Sequence, residues 1–368
     1  MLTPTEQILE FNQNLVNKSL ELNYRAQQAL SNLTIYQNLK VGETESEVIY
    51  RDNKMTLLHY KPLTEKVHKT PLLVIYALIN KPYILDLQPD KSVIRNLLSK
   101  GFDIYLIDWG TPSDSDKYLD FEDYVERYID DVVNIICECN GVTSISILGY
   151  CIGGTLSAIY TALHPEKVRN FIMMASPVYF DTKDGLLHIM TDRQYFDADV
   201  IVDSIGNLPP NMLNSSFLML DPVENFINKY STFFNNMDNR QFVERFLRME
   251  HWIFDSIPMT GEFYRRYIKE LYQQNLLAKN EFYVGEKCVD LRKINMPVLN
   301  IIAKRDTQVP EVASAKLNEL ISSKDKKIIL FSSGHIGLSV GKKAHNELWP
   351  EVAAWLKKRS GRQIKARN

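Results

Sequence analysis

The sequence predicts an α/β fold whose mostly parallel, doubly wound sheet is interrupted by a helical insertion. Short apolar runs alternate with helical stretches in both halves of the chain, and an aromatic, Met-rich region separates the halves. A length of 368 residues suits one large domain with such an insertion. We predict an N-terminal helical arm at 1–40, core segments at 41–178 and 259–368, and a helical cap at 179–258.

The arm is predicted from residues 5–39, where apolar side chains recur at helical spacing until the chain approaches Gly42. This periodicity is typical of an amphipathic helix. Such a helix could pack on its own domain or dock a partner protein, and both alternatives stay open.

The core strands are predicted from short runs of consecutive apolar residues, as expected when both faces of a strand are buried. These runs cover residues 71–76, 102–109, 144–148, 171–175, 297–303 and 327–331. Helices are predicted at residues 121–136, 155–163, 313–320 and 344–356. Because strands and helices alternate, most strands are expected to run parallel.

The predicted cap differs from the core in composition. Residues 179–257 are rich in aromatic and Met side chains at helical spacing, without a run typical of a buried strand. A lid over a reactive centre and an ordinary helical subdomain both agree with this pattern.

Composition disfavours a nucleic-acid-binding protein and excludes a globally disordered chain. Hydrophobic residues make up 45% of the chain, and 43 Lys and Arg nearly balance 45 Asp and Glu. Four cysteines are too few for a disulfide framework, which indicates a reducing compartment. The first residues lack the pattern of a secretory signal, so we expect a cytoplasmic protein.

Residues 139–165 contain no Asp, Glu, Lys or Arg, and the stretch is long enough for a membrane span. It nevertheless contains Gly149, Gly153 and Gly154 beside several Ser and Thr residues, and its two halves differ in pattern. We interpret it as a buried strand, a turn and a buried helix, with a membrane span as the minor alternative.

The turn in this stretch reads GYCIGG and matches the G-x-S-x-G nucleophile elbow, with Cys151 in place of serine. A nucleophile on a tight strand-to-helix turn needs glycine where a β-carbon would collide. The following helix directs its positive N-terminus at the sulfur, which favours the thiolate. We therefore predict Cys151 as the nucleophile and the backbone N–H of Ile152 as an oxyanion donor.

An acid and a histidine are expected further along the chain, each just after a later strand. Asp306 follows the run at 297–303, and His335 follows the run at 327–331. Either residue alone could be a turn carboxylate or an ordinary structural histidine. Because both occur in the required order, we predict a catalytic triad of Cys151, Asp306 and His335.

A second oxyanion donor is expected in the loop after the first core strand, at residues 76–82. We predict the backbone N–H of Leu78, with that of Ile79 as the alternative.

The other three cysteines, Cys137, Cys139 and Cys288, are predicted to be structural. No Cys or His cluster in their vicinity along the sequence completes a tetrahedral zinc site. We expect neither a metal nor a bound cofactor.

These motifs resemble those of poly(3-hydroxyalkanoate) synthases, in particular the catalytic PhaC subunits of the two-component types (classes III and IV). The likeness rests on the elbow, the runs LVIYALINKPY at 73–83 and FDIYLIDWG at 102–110, and the Gly-His pair ending at His335, and it spans about residues 69–355. One position departs: relatives often carry a His directly after the acid, where this chain has Thr307. The resemblance implies an α/β-hydrolase fold with a cap or lid.

The resemblance further implies transfer of (R)-3-hydroxyacyl groups, typically 3-hydroxybutyryl, from coenzyme A to a growing polyester, with release of CoA. A Cys nucleophile suits repeated exchange between thioesters. His335 would deprotonate Cys151, while Asp306 would orient His335 or help to activate the incoming 3-hydroxyl.

The implied partners are a small accessory subunit of PhaE or PhaR type and further subunits, in a homodimer or hetero-oligomer on storage granules, with neither nucleic acid nor a transmembrane segment. Two alternative functions stay open. One is a Cys-dependent thioesterase or esterase, which admits water to the acyl-enzyme. The other is a non-catalytic scaffold of the granule surface.

Overall fold

The computed structural model describes residues 35–183 and 185–366, together with Gln13. Most of the predicted N-terminal arm, residues 1–40, therefore lies outside the described residues. Its described end contains a short helical turn at 35–37.

The described chain divides into two compact units. The larger one comprises residues 42–221 and 252–366, and the smaller one comprises 222–251 with 35–41. The boundaries predicted for the cap, 179–258, stay a prediction.

The larger unit contains an eight-stranded sheet and two small two-stranded sheets. The strands are β1 (Ser46–Asp52), β2 (Met55–Tyr60), β3 (Lys66–His68), β4 (Leu72–Ile75), β5 (Ile104–Asp108), β6 (Ile145–Tyr150), β7 (Val168–Met174), β8 (Tyr283–Val284), β9 (Lys287–Cys288), β10 (Val298–Ala303), β11 (Lys326–Phe331) and β12 (Gln363–Lys365). The small sheets pair β3 with β12 and β8 with β9, both antiparallel.

The large sheet has the order β1-β2-β5-β4-β6-β7-β10-β11. The six strands from β5 to β11 in this order pair in parallel, while β1 and β2 form an antiparallel hairpin at one edge. The mostly parallel, doubly wound sheet predicted from the sequence is confirmed. Every residue of β4, β6 and β10 is buried, which explains why their sequences are continuous apolar runs.

The edge hairpin was not among the predicted elements. Buried and exposed residues do not alternate regularly along its strands, as they would in a typical half-buried strand, and β1 is mostly exposed. The two strands are joined at Asn53, whose φ of +53° is a turn conformation that Asn tolerates.

The helices fill the connections between strands. The α-helices are α1 (Val93–Leu98), α2 (Asp130–Asn140), α3 (Ile152–Leu163), α4 (Leu186–Met190), α5 (Ala198–Ile205), α6 (Pro210–Leu218), α7 (Lys229–Asn235), α8 (Arg240–Phe254), α9 (Gly261–Arg266), α10 (Leu276–Lys279), α11 (Glu311–Ala315), α12 (Leu317–Leu320), α13 (Gly337–Val340) and α14 (Trp349–Lys357). Wider π-helical turns adjoin four of them, at Asp123–Ile129, Val223–Asn228, Tyr267–Gln273 and Ala344–Leu348. Short 3-10 turns lie at Pro82–Leu85, Pro89–Lys91, Asp114–Asp116, Pro165–Lys167 and Leu291–Lys293.

The charge-free stretch at 139–165 forms β6, the turn at Cys151 and the buried helix α3. None of the helices within 35–183 and 185–366 combines the length and apolarity that a transmembrane span requires.

Candidate active site

Cys151 lies on the turn between β6 and α3, at the carboxyl edge of the parallel sheet. Its φ of +55° and ψ of −131° form a strained backbone conformation that L-residues rarely adopt. Its N–H donates to the carbonyl of Met174 on β7 at 3.0 Å, and its own carbonyl accepts the N–H of Gly154 at 2.9 Å. These two hydrogen bonds fix the backbone of Cys151 in the turn.

Close approach of the backbone explains the glycines of the elbow. A β-carbon on Gly149 would lie 2.5 Å from the Cα of Gly154, and one on Gly153 would lie 2.6 Å from the carbonyl oxygen of Tyr76. Real β-carbons essentially never make contacts below 3.0 Å. The strained turn can therefore form only if these positions lack side chains.

The structure brings two of the other predicted residues, His335 and Asp306, into direct contact. His335 Nδ1–H donates to Asp306 Oδ2 at 2.7 Å, and the two side chains are only 6% and 1% exposed. Asp306 Oδ1 accepts the backbone N–H groups of Gln308 and Val309, both at 2.9 Å. The carboxylate is thus fixed by its own turn, and it leaves Nε2 of His335 available for proton transfer.

The electrostatics of His335 favour the imidazolium. Burial opposes a charge on the ring, but the adjacent carboxylate of Asp306, which also accepts the Nδ1 hydrogen bond, raises the pKa of His335 well above its ordinary value. Two observations relate this pair to the elbow. Tyr150, the residue before Cys151, stacks on the imidazole with the ring centroids 5.2 Å apart. Gln308 and Val309, whose N–H groups bind Asp306, line the same cavity as Cys151.

A cavity of about 250 Å³ opens beside Cys151. Its wall is mostly apolar and aromatic and is formed by Ile79, Cys151, Ile152, Pro177, Leu187, Met190, Thr191, Phe196, Leu213, Ser216, Phe217, Met259, Tyr264, Tyr267, Ile268, Tyr272, Gln308 and Val309. A carbon chain attached to the sulfur would find apolar surroundings there.

The predicted oxyanion donors differ in their relation to this cavity. Ile152 is the first residue of α3, so its N–H has no intrahelical acceptor, and the residue lines the cavity beside Cys151. In the loop after β4, Ile79 lines the cavity and Leu78 does not. The donor role of Ile152 and of either loop residue stays a prediction, and the wall favours the alternative, Ile79.

The aromatic wall formed by Tyr264, Tyr267 and Tyr272 was not predicted from the sequence. These residues follow one another at intervals of three and five along α9 and the π-helical turn after it. Such spacing was a usable signal for one helical face, but a buried core stripe shows the same pattern.

The remaining cysteines lie away from the cavity wall. Burial raises the pKa of the Cys137 thiol, Cys139 is exposed, and Cys288 donates to the carbonyl of Asn280 at 3.3 Å. In the described part of the chain, no group of three or more His, Cys, Asp or Glu side chains is arranged to hold a metal ion. The prediction that the protein has no metal or cofactor stays untested.

Two family models match the chain. One is described as the alpha/beta hydrolase fold and covers residues 70–342. The other is described as the N-terminus of poly-beta-hydroxybutyrate polymerase (PhaC) and covers residues 7–97.

The chain is similar to curated proteins named poly(3-hydroxyalkanoate) polymerase subunit PhaC. It is 45% identical to the protein of Haloferax mediterranei over 359 residues, which cover 98% of this chain and 73% of that one. It is 40% identical to the protein of Allochromatium vinosum over 347 residues, which cover 94% of this chain and 97% of that one.

Solved structures with a similar fold include lipases. A monoacylglycerol lipase of Paleococcus ferrophilus aligns with a TM-score of 0.52 and 14% identity, covering 83% of this chain and all of that one. A soluble variant of the Saccharomyces cerevisiae monoglyceride lipase aligns with a TM-score of 0.53 and 15% identity, covering 88% and 97%. At such low identities the likeness establishes the fold alone.

The strand order, the elbow and the lipase-like architecture establish the α/β-hydrolase fold, and the identity to PhaC subunits extends over nearly the whole chain. The chain therefore belongs to the PhaC family of poly(3-hydroxyalkanoate) polymerases, enzymes of the acyltransferase type.

Proposed function

We propose that this protein polymerises (R)-3-hydroxyacyl-CoA, with 3-hydroxybutyryl-CoA as the expected substrate, through an acyl-enzyme on Cys151. The observation that carries the proposal is the position of Cys151, on a strained turn that opens onto an apolar cavity near the buried His335–Asp306 pair. A thiol, a base and an apolar acyl site together are what thioester exchange needs.

In the acylation step, the thiol proton of Cys151 resides on Nε2 of His335, which is thereby the imidazolium, and the sulfur attacks the thioester carbonyl. The developing oxyanion is stabilised by the N–H of Ile152 and by an N–H of the loop containing Ile79. The carbon–sulfur bond to CoA then breaks, and the departing CoA thiolate takes the proton from His335. The product is an acyl-Cys151 thioester and free CoA.

In the elongation step, the 3-hydroxyl of an incoming 3-hydroxyacyl-CoA attacks the acyl-Cys151 thioester. His335 takes the hydroxyl proton and returns it to the sulfur of Cys151, so an ester forms as the thioester breaks. The lengthened chain, now a CoA thioester, acylates Cys151 again and releases CoA. Asp306 supports both steps because it orients the imidazole and stabilises its protonated form.

Polymerisation also requires that the hydroxyl compete successfully with water for the acyl-enzyme. The cavity wall around Cys151 is built mainly of aliphatic and aromatic side chains, including Leu213, Phe217 and Tyr267. Such a wall disfavours ordered water at the thioester. Exclusion of water from the thioester favours the synthase over the thioesterase alternative.

We further propose that the protein works in the cytoplasm at the surface of polyester granules, together with a small accessory subunit of PhaE or PhaR type. The proposal of a homodimer or hetero-oligomer rests on the same family membership.

The decisive assay is incubation of the protein, alone and co-expressed with each type of accessory subunit, with 3-hydroxybutyryl-CoA. We expect insoluble polyester and about one CoA released per unit incorporated. Free 3-hydroxybutyrate as the main product would instead identify a thioesterase. Absence of CoA release in every preparation would favour the scaffold alternative.

Replacement of the nucleophile tests the mechanism. We expect Cys151→Ala to lower CoA release by at least about 10⁴-fold, because nucleophilic attack is lost, while the thermal unfolding midpoint stays within a few degrees. The matched control is Cys139→Ala, since Cys139 is exposed and outside the cavity wall. Equal activity of the two variants would refute the role of Cys151.

A further inference from the structure

Tyr150, the residue directly before Cys151, contacts the histidine of the site in two ways. Its hydroxyl donates to the backbone carbonyl of His335 at 3.0 Å. Its ring stacks on the imidazole, with the ring centroids 5.2 Å apart and the planes inclined by 26°. The tyrosine side chain is fully buried, so neither contact competes with solvent.

The contact with Asp306 does not by itself fix the imidazole. The hydrogen bond at Nδ1 acts in the plane of the ring and does little to restrain motion perpendicular to that plane. The stacked face of Tyr150 opposes such motion, and its hydroxyl anchors the backbone from which the imidazole projects. The two residues thus restrain different degrees of freedom of His335.

Tyr150 is also tied to the two other parts of the site. It is the last residue of β6, so its backbone leads directly into the strained turn of Cys151. Its ring packs edge-on against Tyr76, at 5.4 Å and 70°, and Tyr76 begins the loop that contains the predicted second oxyanion donor. One side chain therefore links nucleophile, histidine and oxyanion loop.

The chemistry of Tyr150 suits a positioning role rather than proton transfer. Burial raises its pKa to about 12, which keeps the phenol neutral across the pH range in which a histidine acts. The hydroxyl is thus a constant donor to the carbonyl of His335.

We propose that Tyr150 is a positioning residue that holds the imidazole of His335 in line with Cys151. This inference rests on the proposed function of the triad, because it assigns Tyr150 a task only if His335 exchanges a proton with Cys151.

The chain contains a matched control for this contact. Tyr160, on α3, is also fully buried, and its ring stacks on His164 at 4.9 Å and 29°. Its hydroxyl donates to Asp130 at 2.9 Å. Loss of Tyr160 therefore removes an equivalent set of contacts from a place outside the cavity wall.

The test compares Tyr150→Phe, Tyr150→Leu and Tyr160→Leu by the pH dependence of Cys151 alkylation with iodoacetamide and by steady-state CoA release. For Tyr150→Leu we expect kcat to fall about 100-fold at nearly constant KM, as for a reacting group displaced by about 1 Å. We also expect the alkylation midpoint to rise relative to that of the wild type, because a loosened imidazolium stabilises the thiolate less.

The conservative variant separates the two contacts. Tyr150→Phe keeps the stacked ring and loses only the donor, so we expect the wild-type alkylation midpoint and a fall in kcat of about tenfold or less. Tyr160→Leu is expected to lower the unfolding midpoint, as Tyr150→Leu does, without moving the alkylation midpoint.

A common response of Tyr150→Leu and Tyr160→Leu in the alkylation profile would overturn the inference, because it would reduce Tyr150 to a packing residue. The alkylation readout needs no substrate. If the wild-type protein forms no polymer, the proposed function fails while the alkylation result still decides the role of Tyr150.

Discussion

The core sheet and the predicted cap bury their apolar side chains differently. Every position of β4, β6 and β10 is buried, and the triad residues follow strands of this sheet. Residues 186–254, in contrast, carry more than half of the exposed large apolar side chains among the described residues, including Val200 and Phe226.

This difference indicates that the core sheet and the predicted cap have different roles. In the core, close backbone contacts at the elbow leave no room for a β-carbon at Gly149 or Gly153. Within the predicted cap, residues such as Leu213 and Phe217 line the cavity, and other apolar side chains are exposed to solvent. We expect changes in the core to affect the chemistry, and changes in the cap to affect product composition or little at all.

The largest effect is expected from Gly149→Val. Its side chain would enter the space of Gly154 and Ser157, so the turn must shift and carry Cys151 with it. We expect CoA release to fall by about 10³-fold or more, or the protein to fail to fold. Gly141→Ala is the control: its φ is +60° but no atom lies within 4 Å of the added carbon, so stability should fall by about 1 kcal/mol with activity retained. Full activity in Gly149→Val would show that the elbow is adaptable.

The next effect concerns pH. Asp306 raises the pKa of His335, so the folded protein binds an extra proton above the ordinary histidine pKa of about 6.5. Its contribution to stability is therefore complete below about pH 6.5 and is lost as the pH rises through the raised value. In Asp306→Asn, burial dominates and lowers the pKa of His335.

We therefore expect the stability advantage of the wild type over Asp306→Asn to be larger near pH 6 than at alkaline pH, as measured by urea unfolding. CoA release should fall by about 10² to 10⁴-fold. A stability difference that grows with pH would contradict the assignment of the raised pKa to this pair.

In the cap, Leu213→Ala is expected to change the products more than the rate. Leu213 is 7% exposed and lines the cavity, so its truncation enlarges the space beside the thioester and costs about 2–3 kcal/mol of stability. We expect acylation within about threefold of wild type and a larger fraction of free 3-hydroxybutyrate, measured by chromatography. Met212→Ala, at an exposed neighbouring position, should leave product ratios unchanged. A large loss of acylation in Leu213→Ala would instead show that this residue of the predicted cap contributes to the acylation step.

The smallest effect is expected from Phe226→Ser. Because Phe226 is 49% exposed, the unfolding free energy should change by no more than about 0.5 kcal/mol, and CoA release should be unaffected. Phe246→Ala, in the same unit, removes a stack on Phe233 at 4.2 Å and should destabilise clearly in thermal unfolding. Equal destabilisation by both variants would show that Phe226 is covered in solution.

Much of the core could be predicted because its elements leave local signals. The buried strands are continuous apolar runs, and the positions of Cys151, Asp306 and His335 follow from strand ends that come to one edge of a parallel sheet. The glycines of the elbow indicate, from the sequence alone, a close approach of backbone segments that otherwise becomes visible only in the tertiary structure.

The parts that could not be predicted depend on contacts distant in sequence. Whether Leu78 or Ile79 faces the cavity depends on the path of a loop, which periodicity does not specify. The wall tyrosines, such as Tyr272, show a helical pattern that a core stripe shares. The edge strand β1 is mostly exposed, so it lacks the apolar run that identified the buried core strands.

The turn after Asp306 affects both the basicity of His335 and the shape of the cavity wall. The carboxylate is held by the N–H groups of Gln308 and Val309, and the same two residues form part of the cavity wall. A substitution that reshapes the wall there would also move the group that sets the basicity of His335. A redesign of this enzyme for larger monomers should therefore begin at wall residues that do not bind Asp306, such as Leu213 or Phe217, where size can change without altering the pH optimum.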